Sequence, residues 1–278
     1  MKHIYHSFMQ ILFVAFATCA MSACNKDDDD DPSNGYNERL ITKIVKQYND
    51  EAYASDTYVF SYDNKRRVIQ RVNPEDDTDY RKINISYGEN KVFFEEGYYW
   101  SCEITLENGR ATSGSFSYHC GEAESYEPYT LGYDANGRLI ESIRPEEKNF
   151  RYSITWTNGN PTAVKYKSYN GGEYIECTDK AEYGNVPNKT NIDLNWMVLT
   201  ECPSGWIGAT GDGDQMPVFA LLGYLGKRSA NLAEKITNSS SGEVLATITY
   251  ELDSEKYPTR IVMRKGDYVC TYTISYNK

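Results

Sequence analysis

Histidine is scarce in this chain of 278 residues, which has only three. Two of them, His3 and His6, fall in a leader segment that reads as removed, so His119 stands alone. One imidazole excludes a His-rich metal centre and leaves a single candidate for any His-based catalytic triad. Basic charge is in deficit as well. With 29 Lys and Arg against 40 Asp and Glu, the net charge is −11. No basic stripe interrupts that acidity, so a phosphate backbone is repelled and no nucleic-acid partner is expected. The chain has no G-x-S-x-G, no phosphate-cradling G-x-x-x-x-G-K, and no G-x-G-x-x-G set between a strand and a helix. No cofactor and no metal are implied, and no catalytic residue is nominated. A helical membrane span is not expected either, because the apolar run Ile11 to Ala17 is too short to cross a ~30 Å hydrocarbon core.

Tyrosine, by contrast, is abundant. There are 25, beside 9 Phe and 4 Trp, and such rings favour pleated, half-buried strands. Hydrophobic residues at 40% and charged residues at 25% suit a globular domain able to bury a core.

The amino terminus reads as an address. Lys2 supplies a positive n-region, Ile11 to Ala17 the apolar h-region, and small residues follow. Met21-Ser22-Ala23-Cys24 resembles a bacterial lipobox, in which the cysteine is acylated and becomes the first residue of the mature chain. The alternative to the lipobox is ordinary secretion with cleavage near Ala23. Asp27 to Asp31 form a like-charge block that stays solvated and extended, and it resembles the acidic export signal of surface-displayed lipoproteins. Pro32-Ser33-Asn34-Gly35 closes this tether. The expected organisation is a signal peptide over 1–23, a lipidated acidic tether over 24–35, and one β domain over 36–278.

From Leu40 onward, short alternating runs are punctuated by turn residues. Tyr58, Phe60 and Tyr62 share one strand face, as do Ile83, Ile85 and Tyr87. Asn108-Gly109, Asn136-Gly137 and Asn158-Gly159 each separate two alternating runs, and Asn-Gly is a strong hairpin signal because both central residues of a type I′ turn need positive φ. Pro258 belongs at a strand start or edge. About sixteen strands are counted, too many for one flat open sheet. The expected fold is therefore all-β, a long antiparallel meander curled into a flattened barrel or two packed layers. Met216 to Gly226 reads as one short apolar helix, while Asn195 to Leu199 is apolar but short. A membrane barrel is the rival architecture. Many runs of only six or seven residues, and their many charges, speak against it.

Tyr133-Asp134-Ala135-Asn136-Gly137-Arg138-Leu139 fits the Y-D-x-x-G-R-L pattern of tyrosine–aspartate (RHS-type) repeats. Tyr62-Asp63-Asn64-Lys65-Arg66-Arg67-Val68 is a degenerate copy with Arg66 in the glycine position. With the lipobox, the acidic tether, Leu221-Leu222-Gly223 and the Tyr257-Pro258-Thr259 to Tyr276 end, residues 36–278 resemble a domain-of-unknown-function family of bacterial surface lipoproteins described as porin-like. That resemblance implies fold and placement at the outer membrane, and no reaction.

Five cysteines remain beyond the leader and Cys24: Cys102, Cys120, Cys177, Cys202 and Cys270. Their number is odd, so at least one is free. Counting out from the turns places Cys102 opposite Ser115 and Cys270 opposite Met263, so no local hairpin disulfide is expected. Cys120 and His119 are strand neighbours and point to opposite faces, which excludes a nucleophile pair. Thr210-Gly211-Asp212-Gly213-Asp214-Gln215 has aspartates but lacks the EF-hand spacing and reads as a glycine-rich loop. Among the aromatics Tyr98, Tyr99, Trp100, Trp196 and Trp206, the last is the one weighed as a ligand contact, with burial over the sheet end as the commoner role for a loop Trp.

The functional expectation is an outer-membrane-anchored surface lipoprotein, attached through Cys24, that acts as a non-enzymatic ligand- or glycan-binding scaffold. Its partners would be the membrane through the lipid and a glycan or envelope protein. The alternatives are a glycan hydrolase using paired carboxylates and a purely structural envelope protein.

Overall fold

A computed structural model describes residues 39–50, 55–74, 82–97, 100–120, 123–144, 150–170, 173–201, 206 and 223–277. Of residues 118–120, 123–127, 150 and 168–170, only the backbone is described. The chain divides into two units, Met1–Asp30 and Asp31–Lys278, and all described residues lie in the second.

Sixteen strands follow one another. They are β1 (Ile41–Tyr48), β2 (Asp56–Tyr62), β3 (Val68–Val72), β4 (Lys82–Tyr87), β5 (Lys91–Glu96), β6 (Trp100–Glu107), β7 (Arg110–Cys120) and β8 (Ala123–Tyr133), then β9 (Leu139–Arg144), β10 (Phe150–Thr157), β11 (Asn160–Asn170), β12 (Glu173–Pro187), β13 (Asn231–Asn238), β14 (Val244–Leu252), β15 (Pro258–Lys265) and β16 (Tyr268–Tyr276). Each pairs antiparallel with its neighbours, and β16 returns to β1, so the sheet is a closed barrel. Of the two arrangements expected, closure is the one realised. It removes both edges, which would otherwise present unpaired N–H and C=O groups. The seam pairs Ile41 with Tyr276 and Tyr48 with Cys270. Asn49 seals it by donating from its backbone N–H to the Val269 carbonyl at 3.0 Å and accepting from the Val269 N–H at 2.7 Å.

Turn chemistry explains the short connections. Asn108 and Gly109 take φ of 51° and 72°, and Asn158 and Gly159 take 50° and 77°, as type I′ turns require. The third Asn-Gly differs from expectation. At 134–138 only Gly137 has positive φ, 75°, and its N–H donates to the Asp134 carbonyl at 3.0 Å. The Asp134 carboxylate accepts from the Asn136 and Arg138 N–H groups, which favours a longer loop over a two-residue turn. The same bonds recur around Asp63 and Asp253, where Arg66 and Lys256 take φ of 65° and 67°.

Two registers follow from these turns. Met263 faces Cys270 as expected. Cys102 faces Phe116 and not Ser115, because a bulge between Thr105 and Leu106 shifts the ladder by one residue. Pro258 opens β15, where its missing N–H is tolerated.

The even-to-odd connections gather at one end of the barrel, the turn end, where β1 begins and β16 finishes. From this end the β12–β13 connection enters the lumen as the helix α1 (Leu194–Thr200). All seven helix residues are buried, and Asp193 caps the helix by accepting from the Asn195 N–H at 3.0 Å. The helix therefore falls on the stretch read from sequence as merely apolar and short. The helix expected over Met216 to Gly226 lies mostly outside the described residues. Gly226 itself, with φ 79°, bridges to Arg138 beside the turn at 134–138. One apolar cluster occupies the lumen, from Ile44, Phe94 and Ile104 around to Ile236, Met263 and Ile274, and it includes Trp196 and Met197 of α1.

Candidate functional site

The wall has two opposite characters. Inward positions are apolar: Val92 and Phe94 on β5 are fully buried, while Lys91, Phe93 and Glu95 between them are exposed. Outward positions carry cross-strand ion pairs, Lys91–Glu103, Arg151–Glu141, Lys165–Glu176 at 2.8 Å, Lys235–Glu182 at 3.0 Å and Arg260–Glu251 at 2.7 Å. A lipid-spanning barrel needs the reverse, an apolar outer band about 25 Å tall, with Arg or Lys at mid-depth costing ~2–4 kcal/mol. The exposed large apolar side chains Ile69, Phe93, Ile140, Tyr174, Ile175 and Val244 are spread over five strands. The outer wall is thus charged and ion-paired and carries no continuous apolar band among the described residues.

At the turn end a ring of aromatic side chains points inward. Tyr62, Tyr87, Tyr133, Tyr183, Tyr250 and Tyr276 each donate a hydroxyl to a carbonyl at the start of the preceding strand, of Ile41, Val68, Ala111, Pro161, Ala233 and Pro258 respectively. Trp156 does the same to Leu139 at 2.7 Å. Burial pushes the hydroxyls of Tyr62, Tyr87, Tyr133, Tyr183 and Tyr276 well above the ordinary tyrosine value. Together with α1, this ring packs against the apolar core at the turn end. The donor and its acceptor lie 17 to 22 residues apart, one hairpin per repeat. This is the periodic signal that alternation and turn dipeptides did not expose.

Charge enters the lumen at the other end, the mouth. The Arg71 guanidinium and Glu96 carboxylate sit 3.5 Å apart and are almost wholly buried, and the Trp100 indole N–H donates to Glu96. Lys46 reaches the Glu201 carboxylate at 2.5 Å, and Lys265 donates to the Glu201 carbonyl, so the end of α1 is tied to two strands. Burial alone would lower the Lys46 ammonium, but Glu201 more than offsets it and holds the lysine above its usual range. Beside them burial pushes the Tyr58 hydroxyl up to about 12 and the Cys270 thiol up to about 11.

On the outer wall, a shallow depression of about 370 Å³ lies over β5, β6 and β7. Its lining includes the half-exposed Phe93 ring, the hydroxyls of Ser101, Ser115 and Ser117, and the carboxylates of Glu95 and Glu103. An aromatic face beside hydroxyls and carboxylates offers stacking and both hydrogen-bonding polarities to a polar ring.

Trp206 has no exposed surface, and its ring centroid is 6.1 Å from that of Trp196. Trp100 is buried against Phe116. The thiols of Cys102, Cys177 and Cys270 are buried, and a buried thiol behaves as a small apolar group. Cys24, Cys202, Tyr98, Tyr99 and the loop 210–215 lie outside the described residues, as do the side chains of His119 and Cys120. Among the described residues, no group of three His, Cys, Asp or Glu could hold a metal, and no helix is long and apolar enough to cross a membrane.

The fold defines the class, a closed sixteen-stranded antiparallel barrel with a filled lumen and a charged outer wall. Among solved structures the chain is similar to a porin-like protein from Bacteroides uniformis, with a TM-score of 0.61 at 17% identity, covering 85% of this chain and 98% of that one. It is also similar to a porin-like protein from Bacteroides vulgatus, with a TM-score of 0.59 at 14% identity, covering 86% and 99%. No family model and no curated protein matches it. At such identities the likeness is one of fold.

Proposed function

We propose that this protein is a lipid-anchored module of the outer membrane, attached through acylated Cys24, which holds its barrel in water and binds a glycan on the outer wall. The observation that carries the reading is the arrangement of the wall. Ion pairs face outward and a packed apolar lumen with α1 inside it faces inward, so the barrel neither suits a bilayer nor leaves a channel. An anchor elsewhere in the chain is then what would keep it at a membrane, and Met21-Ser22-Ala23-Cys24 supplies one. This is also where the resemblance to porin-like surface lipoproteins leads. The glycan assignment rests on the depression at Phe93, Ser101, Ser115 and Ser117. Phe93 would stack on the apolar face of a pyranose, and the serines and Glu95 would bond its hydroxyls.

Two measurements test the reading. Expressed with its own leader, the chain should partition into the membrane fraction, and Cys24→Ala should release it as a folded protein without detergent. A variant that needs detergent to stay folded would overturn the water-facing barrel. In a thermal-shift screen of soluble glycans, a ligand at ~100 times its Kd adds about 2.7 kcal/mol, or roughly 5–10 °C. Phe93→Ala should abolish that shift. A glycan that shifts the protein and is then cleaved would favour the hydrolase reading, for which Glu95 and Glu103 at the depression are the carboxylates to replace. No shift with any glycan class would overturn the glycan assignment.

A further inference from the structure

We infer that the depression over β5, β6 and β7 takes a basic glycan, an amino sugar whose free ammonium sits between the Glu95 and Glu103 carboxylates while Phe93 stacks on its ring. This rests on the reading of that depression as a glycan site and names the class of sugar it would hold.

Strand register is the first support. Two outward rows cross the three strands. One pairs Phe93 with Glu103 and Glu103 with Ser115, and the next, toward the mouth, pairs Glu95 with Ser101 and Ser101 with Ser117. The three serines are short beside Phe93, Glu95 and Glu103, so the wall dips over them. Glu95 and Glu103 are diagonal neighbours on the β5–β6 ladder. Such positions lie about 7–8 Å apart, within which two long side chains reach a common group. One cation can therefore be held by both carboxylates.

Charge gives the second support. Two carboxylates and no cation line the depression. Lys91 stands at its turn-end edge and pairs with Glu103. Both of those side chains are half-exposed, and a pair so placed is weak enough for an incoming cation to share. Lys82 on β4 is diagonal to Glu95 but lies outside the lining. Glu95 is exposed, and among the described residues no ion pair engages it. A uronic acid would meet both carboxylates as like charges, and a neutral or N-acetylated sugar would leave Glu95 without a charged partner. An ammonium on the ring gives Glu95 a charge-assisted hydrogen bond, and the hydroxyls of Ser101, Ser115 and Ser117 remain for those of the sugar. The flat Phe93 face and three hydroxyls favour a sugar over a lysine-rich peptide, which offers neither a rigid apolar face nor hydroxyl groups.

Calorimetric titration of the full chain with sugar oligomers of equal length is the test. A glucosamine oligomer should bind about tenfold more tightly than its N-acetylated counterpart, the scale of one hydrogen bond to a charged group. High salt should remove that advantage, and a uronic acid oligomer should bind more weakly than either. Glu95→Gln should erase the preference and leave the affinity for the N-acetylated oligomer unchanged, whereas Phe93→Ala should weaken both. Lys91→Ala frees Glu103 and should tighten the glucosamine oligomer about twofold. Equal affinity for the two oligomers, tighter binding of the uronic acid, or a preference that survives Glu95→Gln overturns the amino-sugar assignment and leaves the glycan reading standing. Oligolysine that binds as tightly as the glucosamine oligomer, and is still bound after Phe93→Ala, also overturns it, because the site then takes any cation. If no oligomer of any glycan class binds, the glycan reading itself fails.

Discussion

The Tyr250 hydroxyl donates to the Ala233 carbonyl oxygen at 2.5 Å, tying β14 back to the start of β13. Seven of the eight hairpins close with a bond of this kind, from Tyr or, at Trp156, from an indole N–H. In the eighth, β5–β6, Leu106 stands in the corresponding place and only its backbone N–H bonds, to the Asn90 carbonyl at 2.9 Å. The inward ring lets these seven even strands each bury an aromatic body against a neighbour while its polar tip satisfies a carbonyl at the turn end.

Replacing one of these tyrosines by Phe keeps the ring and removes the bond. Tyr250→Phe should cost ~1 kcal/mol, seen as a fall in Tm of roughly 2–4 °C. Adding Tyr62→Phe, on the other side of the seam, should lower stability by a further similar amount, additive within about 0.5 kcal/mol. Calorimetry of the two single variants and the double variant checks both values.

Gly226 and Gly242 separate two effects of glycine. Both have positive φ, 79° and 72°, but a Cβ on Gly226 would lie 2.4 Å from the Gly137 carbonyl oxygen, and one on Gly242 meets nothing within 4 Å. Gly242→Ala should cost only the left-handed backbone term of ~1–2 kcal/mol. Gly226→Ala should cost clearly more, because it breaks the approach through which Lys227 donates to Gly137 at 2.7 Å. Parallel denaturant titrations of the two variants test the order.

The buried Arg71–Glu96 pair should be intolerant of half-removal. Arg71→Met leaves a buried carboxylate and should cost ~3–5 kcal/mol, whereas Arg71→Met with Glu96→Leu should recover most of it. Urea midpoints for the single and double variants settle the point. A double variant no better than the single would overturn the argument.

Stability should fall at both extremes of pH. Burial raises Tyr58, Tyr183, Tyr250 and Tyr272 above their ordinary value. The native state thus holds protons that the unfolded chain releases above ~10. Their contribution is complete below that pH and is lost as pH rises toward the folded values. Tyrosinate absorbance should accordingly appear in step with unfolding. At the acid end, burial opposes ionisation of Asp63 and Asp253, but turn N–H groups with Arg67 and Arg39 outweigh it and hold both carboxyls below their ordinary value. Hydrogen bonds from the Arg138 and Asn136 N–H groups lower Asp134. Stability from these three turns is present above pH ~4 and is lost as pH falls through their lowered values. Far-UV circular dichroism between pH 2 and 12 tests both limbs.

The sequence by itself determined the strand count, the antiparallel order and the face shared along each strand, because alternation and turn residues act over two to four neighbours. Asn108-Gly109 and Asn158-Gly159 form the turns their dipeptides require, and Met263 faces Cys270 by counting outward from Gly266-Asp267. Where a bulge or a side-chain bond intervened within a hairpin, counting failed. The bulge at Thr105–Leu106 moved Cys102 opposite Phe116, and the Asp134 side chain turned an Asn-Gly dipeptide into a longer loop. Only the tertiary structure decided closure, since the pair Ile41–Tyr276 depends on twist accumulated over all sixteen strands. It also chose which face became the lumen, drew α1 and Trp206 inside, and buried Arg71 against Glu96. The depression at Phe93 belongs to the same level, because β5, β6 and β7 must pair in register before Phe93, Ser101 and Ser115 come together on the outer wall.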